Sequence, residues 1–250
     1  MERNETMERK VMRALTTART AYLYGRAGIG KTYAALNTAL RPSQVAVAVT
    51  LTPSTQVSEL RGQYHLRGGE TVWRDGAAIE ALTAPAIVPC RLILNELPNA
   101  SDEALAFLYP LLESPDTASV CLPDGRVIRG GGNMQVIATG NESLDTLPPN
   151  MRDALRDRVQ ARVEMSEPFA SAYEVFPEPW RPVVRDTIRS NVLVSLRGWV
   201  YARDLVHIHG LETVDAVAFA FDGLGFDSEA FGRGCVETIT QTAALADVGE

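Results

Sequence analysis

Lysine, cysteine and histidine are the scarce residues of this chain. Of 24 basic side chains only Lys10 and Lys31 are lysines, and the 250 residues include three cysteines and three histidines. Cys90, Cys121 and Cys235 lie too far apart to suggest a disulfide scaffold, and they suit a reducing, cytoplasmic setting. So few histidines and cysteines also argue against a structural zinc site. Long apolar runs are missing: none reaches the ~18 residues of a membrane span. The polar N-terminus (MERNETMERK) has no hydrophobic signal core, so neither spanning nor export is expected. Positive charge is not in excess either. The balance of 24 basic and 31 acidic residues, a net −7, argues against a broad nucleic-acid-coating surface, while a local basic groove stays open.

What is present is enough apolar material, 46%, for one ordinary core with or without a small appendage. Met7, Val11, Met12 and Leu15 predict a helix over 5–19. TAYLY (20–24) reads as a buried strand, followed by a glycine-rich loop and a helix ending before Arg41–Pro42. Further strands are expected at 44–52 (QVAVAVTLT), 88–94 (VPCRLIL), 134–139 (MQVIAT) and 161–165 (ARVEM). Ser101 opens a helix with an apolar stripe of Ala104, Phe107, Leu108, Leu111 and Leu112. Residues 120–128 read as a hairpin turning on Asp124–Gly125. Strands alternating with helices predict an α/β fold whose five-stranded parallel sheet is covered on both faces. Past Pro168 the strand signal fades, Pro177, Pro179 and Pro182 stiffen the chain, and 183–250 reads as helices. The expected organisation is an α/β domain over 1–168 and a small α-helical lid over 169–250.

The loop Gly25-Arg26-Ala27-Gly28-Ile29-Gly30-Lys31-Thr32 fits G-x-x-x-x-G-K-[ST] in full, between a strand and a helix. Glycines let backbone N–H groups turn toward phosphate oxygens. Lys31 would reach the β- and γ-phosphates of ATP, and the Thr32 hydroxyl would ligate Mg2+. In an arginine-biased chain, a lysine at this place is the slim point charge that phosphate contact favours. Downstream, Leu92-Ile93-Leu94-Asn95-Glu96 is an apolar strand ending in a polar pair. Glu96 would act as the general base toward water. Asn95 stands where an aspartate is usual; its amide could accept a hydrogen bond from a metal-bound water but brings no charge.

Taken in order, the phosphate loop, TPSTQVSELRGQY (52–64), LILNELPNAS (92–101), a hairpin, VIATGN (136–141) and ALRDRV (154–159) resemble the MoxR-type AAA+ ATPases. That group includes the CbbQ/NorQ activases and the gas-vesicle protein GvpN. The resemblance covers residues 20–168 and, more weakly, the helical lid. It implies a P-loop AAA+ core, ATP and Mg2+ as ligands, and a homo-oligomeric ring, often a hexamer. It also implies action on a partner protein, in relatives often one with a von Willebrand factor A domain. Residue by residue, Asn141 matches the sensor-1 position that would orient the attacking water. Arg158 matches the arginine finger of Asp-Arg-Phe, with Val159 in place of phenylalanine; Arg152, Arg156 and Arg162 compete for that role. Arg197 in Ser195-Leu196-Arg197-Gly198-Trp199 matches sensor 2, with Arg181, Arg185, Arg189 and Arg203 as competitors. Residues 54–82 and 117–132 resemble the family's helix-2 insert and pre-sensor-1 hairpin, which face the ring opening in relatives. Two other readings stay open: a DNA-linked AAA+ motor subunit, and an ATP-binding assembly switch that hydrolyses slowly because of Asn95.

Overall fold

A computed structural model describes residues 6–84, 88–166, 169–189, 195–224 and 227–247. Its contacts divide the chain into two compact units: Met1–Arg26 with Lys31–Met165, and Ala27–Gly30 with Ser166–Glu250.

The first unit is built on a five-stranded sheet in the order β2-β5-β8-β1-β9, from Val45–Thr50, Cys90–Asn95, Met134–Gly140, Thr20–Tyr24 and Ala161–Glu164. Every pairing in it is parallel. Every residue of β5 and β8 is buried, as a sheet with helices on both faces requires. Register brings the strands' ends level: Tyr24 pairs with Gly140, and Thr50 with Asn95. The helices are α1 (Met7–Thr17), α2 (Lys31–Asn37), α3 (Val57–Arg61), α4 (Ala77–Thr83), α5 (Asp102–Glu113) and α6 (Pro149–Arg158). The Ser101 hydroxyl caps α5 by accepting from the Ala104 N–H at 3.2 Å.

Arg91 and Gln135, polar side chains buried in the central strands, tie helix ends to the sheet. Arg91, fully buried in β5, donates to the carbonyls of Ala35 and Thr38 (both 2.8 Å) and Ala39 (3.1 Å). Its Nε donates to Gln135 Oε1 at 2.9 Å, and Gln135 donates to the carbonyls of Leu15 and Ala18, both at 2.8 Å. The last carbonyls of α1 and α2, which lack partners within their helices, are thereby satisfied. Burial, then the Arg41 charge, lower the Arg91 pKa to about 10, so it stays charged at neutral pH beside the negative end of α2. Helix α2 ends at Asn37, before Arg41–Pro42 as expected; the Thr38 and Ala39 carbonyls turn toward Arg91 and Ala39 takes φ 53°.

Two hairpins stand apart from the sheet. Strands β3 (Gly62–Arg67) and β4 (Glu70–Asp75) lie between α3 and α4 and turn on Gly68–Gly69, whose φ values of 61° and 87° suit a tight two-residue turn. Strands β6 (Ser119–Cys121) and β7 (Val127–Arg129) form the second, at the expected Asp124–Gly125 turn.

In the second unit are helices α7 (Arg181–Arg189), α8 (Leu196–His207), α9 (Thr213–Ala220) and α10 (Ser228–Asp247). Their shared core is aromatic: Trp199 meets Phe221 edge-on at 5.2 Å between ring centroids, and Phe221 meets Phe231 at 5.5 Å. Residues 27–30 of the glycine-rich loop pack within this unit: Phe169 N–H donates to the Ile29 carbonyl and Leu196 N–H to the Gly28 carbonyl, each at 3.1 Å. The boundary expected at 168 falls on residues 167–168, outside the described residues.

Candidate functional site

The glycine-rich loop leaves β1 at Tyr24 and delivers Lys31 as the first residue of α2. Gly25, Gly28 and Gly30 take φ values of 144°, 77° and 91°, a backbone path that side-chain-bearing residues resist. Arg26 and Ala27 are exposed, while Ile29 is buried as an anchor. The path curls the loop around the Lys31 ammonium, which donates to the Gly25 and Arg26 carbonyls, both at 2.8 Å. Lys31 is only 6% exposed.

From the strand ends a polar network reaches this lysine. The ammonium also donates to Asn141 Oδ1 at 2.9 Å, and Asn141 Nδ2 donates to Glu96 Oε2 at 3.1 Å. A second branch runs below it: the hydroxyls of Thr32 (3.0 Å) and Thr139 (3.3 Å) both donate to Asn95 Oδ1. The Glu96 N–H in turn donates to Thr139 Oγ1 at 3.3 Å. Glu96 adopts a left-handed backbone (φ 56°, ψ 43°), a conformation that costs about 1 kcal/mol or more in a non-glycine residue and recurs at functional sites. The turn aims its carboxylate at Asn141 rather than along the strand.

Five of the sequence-derived candidates, Lys31, Thr32, Asn95, Glu96 and Asn141, are therefore joined by hydrogen bonds. Thr139 belongs to the same network and was not singled out from the sequence. Its signal was a threonine in the last turns of an apolar strand, where a buried hydroxyl needs a partner.

Of the two arginine candidates, Arg158 belongs to the first unit and Arg197 to the second. Arg158 ends α6; its Nη1 donates to the Ala154 carbonyl at 2.7 Å, its guanidinium lies 4.9 Å from the Tyr109 ring centroid, and Nε is 3.7 Å from Glu113 Oε2. Those contacts hold it between α5 and α6, not on the Lys31 network. Its competitor Arg156 is exposed and pairs with Asp145 at 3.3 Å, while Arg152 pairs with Asp153 at 2.8 Å. Arg162 is exposed on β9. Arg197 is exposed in the first turn of α8, where Ser195 caps the helix through the Gly198 N–H at 3.3 Å. Arg181 and Arg203 are engaged within their own unit, Arg181 by the Phe176 carbonyl and Arg203 by Asp204 and the Val175 carbonyl.

Among the described residues no three His, Cys, Asp or Glu side chains converge into a metal-binding group. Apart from the oxygens that Lys31 itself engages, the Thr32 hydroxyl and the Asn95 amide oxygen, both neutral, meet 3.0 Å apart. Such a set fits a hard cation that keeps waters and takes its charge balance from phosphate oxygens, which describes Mg2+ rather than a transition metal. No described helix is long and apolar enough to cross a membrane.

The AAA domain of the dynein-related subfamily matches residues 21–159, more than half of the chain. The protein NorQ of Paracoccus denitrificans is 27% identical over 161 residues, covering 64% of this chain; the match spans 54% of NorQ, about half its length. Among solved structures, a Cytophaga hutchinsonii protein assigned as an ATPase has a TM-score of 0.47 at 16% identity, covering 76% of this chain and 52% of that one. A variant of RuvB from Thermotoga maritima has a TM-score of 0.46 at 14% identity, covering 89% and 68%.

Proposed function

The chain belongs to the dynein-related subfamily of AAA domains, in its MoxR-type branch, and from that premise we propose that it hydrolyses ATP in order to remodel a partner protein. The observation that carries the reading is the continuous hydrogen-bonded path from Lys31 through Asn141 to Glu96. It ties a phosphate-binding cation to a carboxylate through one amide that can report on both.

In this reading Gly25–Thr32 cradles the triphosphate and Lys31 neutralises the β- and γ-phosphate oxygens. Glu96 accepts a proton from the attacking water, and Asn141 orients that water and the carboxylate together. Bound Mg2+, held by Thr32 directly and by Asn95 through water, would add positive charge against the phosphates. Arg158, or Arg156 beside it, would complete the pocket of a neighbouring subunit in a ring, a hexamer by family analogy, and Arg197 would sense the γ-phosphate. The two hairpins would meet the partner, for which family analogy suggests a von Willebrand factor A domain.

Turnover with purified chain tests this. Glu96→Gln keeps the shape and the hydrogen bond to Asn141 but removes the base. It should lower kcat at least 100-fold while ATP binding persists. Equal turnover by Glu96→Gln would refute the assignment. A second reading, a nucleotide-dependent assembly switch with slow hydrolysis, is favoured specifically by the uncharged Asn95. It is supported if Asn95→Asp raises kcat tenfold or more, and refuted if that substitution leaves kcat within twofold.

A further inference from the structure

The polar network does not stand on the sheet alone. Beneath it lies Tyr22, a fully buried residue of β1, two positions before the strand's end. It stacks on Tyr24 with ring centroids 5.7 Å apart and planes 17° from parallel, so both rings lie on one face of the strand. Its hydroxyl donates to the backbone carbonyl of Glu142 at 2.7 Å. That carbonyl lies one residue past Asn141, on the loop that leaves β8.

The space for this phenol is made by a missing side chain. A Cβ on Gly140 would fall 2.0 Å from the Tyr22 hydroxyl and 3.0 Å from Cδ of Pro98. The Tyr22 hydroxyl thus lies against the end of β8, which leads to Asn141, where Pro98 of the turn after Glu96 also approaches Gly140. Burial above all, then the carboxylates of Glu96 and Glu142, raise the phenol's pKa above its usual value. It therefore remains a donor throughout the working range of an enzyme. An aliphatic residue would fill a strand core at least as well, so packing alone does not account for a hydroxyl here.

We propose that Tyr22 is a positioning residue for ATP hydrolysis, holding through the Glu142 carbonyl the loop that aims Asn141 at Glu96. The proposal rests on the ATPase reading above. Tyr22 touches none of the reacting groups; it fixes the angle of one that does. Losing its hydroxyl leaves Asn141 present but loosely aimed, and a small misplacement at a reacting centre lowers rate more than affinity.

Tyr22→Phe keeps the ring and removes only the hydroxyl. Steady-state ATPase assays should show kcat lowered about tenfold, with KM and the Kd for a non-hydrolysable ATP analogue changed less than twofold. Combination with Asn141→Ala separates positioning from general loosening. If Tyr22 acts through Asn141, the double variant hydrolyses ATP no more slowly than Asn141→Ala alone. Wild-type kcat in Tyr22→Phe would overturn the proposal, as would a further tenfold loss when Tyr22→Phe is added to Asn141→Ala. A wild-type chain that binds ATP without turning it over would instead overturn the hydrolysis reading, and this inference with it.

Discussion

The central strands and the two hairpins of the first unit are built by opposite rules. In β5 and β8 every residue is buried and the polar side chains are hydrogen-bonded, Arg91 to three helix-end carbonyls and Gln135 to two more. In β3 and β4 the side chains face water: Leu66 is 78% exposed, with Tyr64 at 49% and Val72 at 47%. The hairpins are joined by a compact ionic clamp. Arg126 pairs with Asp75 through two hydrogen bonds of 2.6 and 3.2 Å, and its Nε donates to Asp124 at 2.6 Å. Asp75 also accepts from the Trp73 indole at 2.7 Å, and Trp73 meets Tyr64 edge-on at 5.0 Å. The buried strand ends hold their polar groups at fixed angles, whereas the hairpins rest on the core through Trp73, Val120 and Ile128 and turn their other side chains to water.

The contrast can be broken from either side. Arg91→Met should have the largest effect on folding, a loss of about 3–5 kcal/mol in denaturant unfolding, because it leaves four acceptors, the carbonyls of Ala35, Thr38 and Ala39 and the Gln135 amide oxygen, without their donor. A loss under 1 kcal/mol would show the network to be dispensable. Leu66→Ser on the hairpin should shift stability by no more than about 0.5 kcal/mol by the same measurement, since its side chain is already in water. Arg126→Ala should release the clamp without touching the core: amide exchange over 62–75 and 119–129 speeds up severalfold, while protection of 90–95 and 134–140 is unchanged. Uniformly faster exchange would mean that the hairpins and core are one cooperative unit.

Thiol reactivity gives the mildest test. Burial pushes the Cys90 thiol up to about 11 and the Cys235 thiol up to about 12, whereas Cys121 is exposed on β6. At pH 8 the two buried groups are protonated and shielded. One equivalent of thiol should therefore react rapidly with a maleimide and two only on unfolding. Rapid reaction of Cys90 would contradict the tight edge of β5.

The sheet and the loop were legible because each rests on a local pattern. Buried strands announce themselves as apolar runs, and the phosphate loop as fixed glycine spacing before Lys31. Asn95, Glu96 and Asn141 could be found because each ends such a strand. Thr139, Tyr22 and the Arg91–Gln135 pair were not legible, since their partners lie 43 to 120 residues away in sequence. A lone polar residue in an apolar run marks that some partner exists without naming it. The exact last residue of α2 is not legible for the same reason: a side chain 53 residues distant takes the Thr38 carbonyl. The arginines of 152–162 were ambiguous in sequence, and the fold separates them by contact, Arg158 packed on Tyr109 and Arg156 in water.

The central claim is that the Lys31 ammonium grips the triphosphate, and calorimetric titration with ATP and Mg2+ tests it most directly. The account predicts saturable one-to-one uptake by the wild-type chain and at least a 100-fold weaker Kd for Lys31→Ala, whose fold, judged by circular dichroism, is intact. No uptake by the wild type, or unchanged affinity in Lys31→Ala, would contradict it.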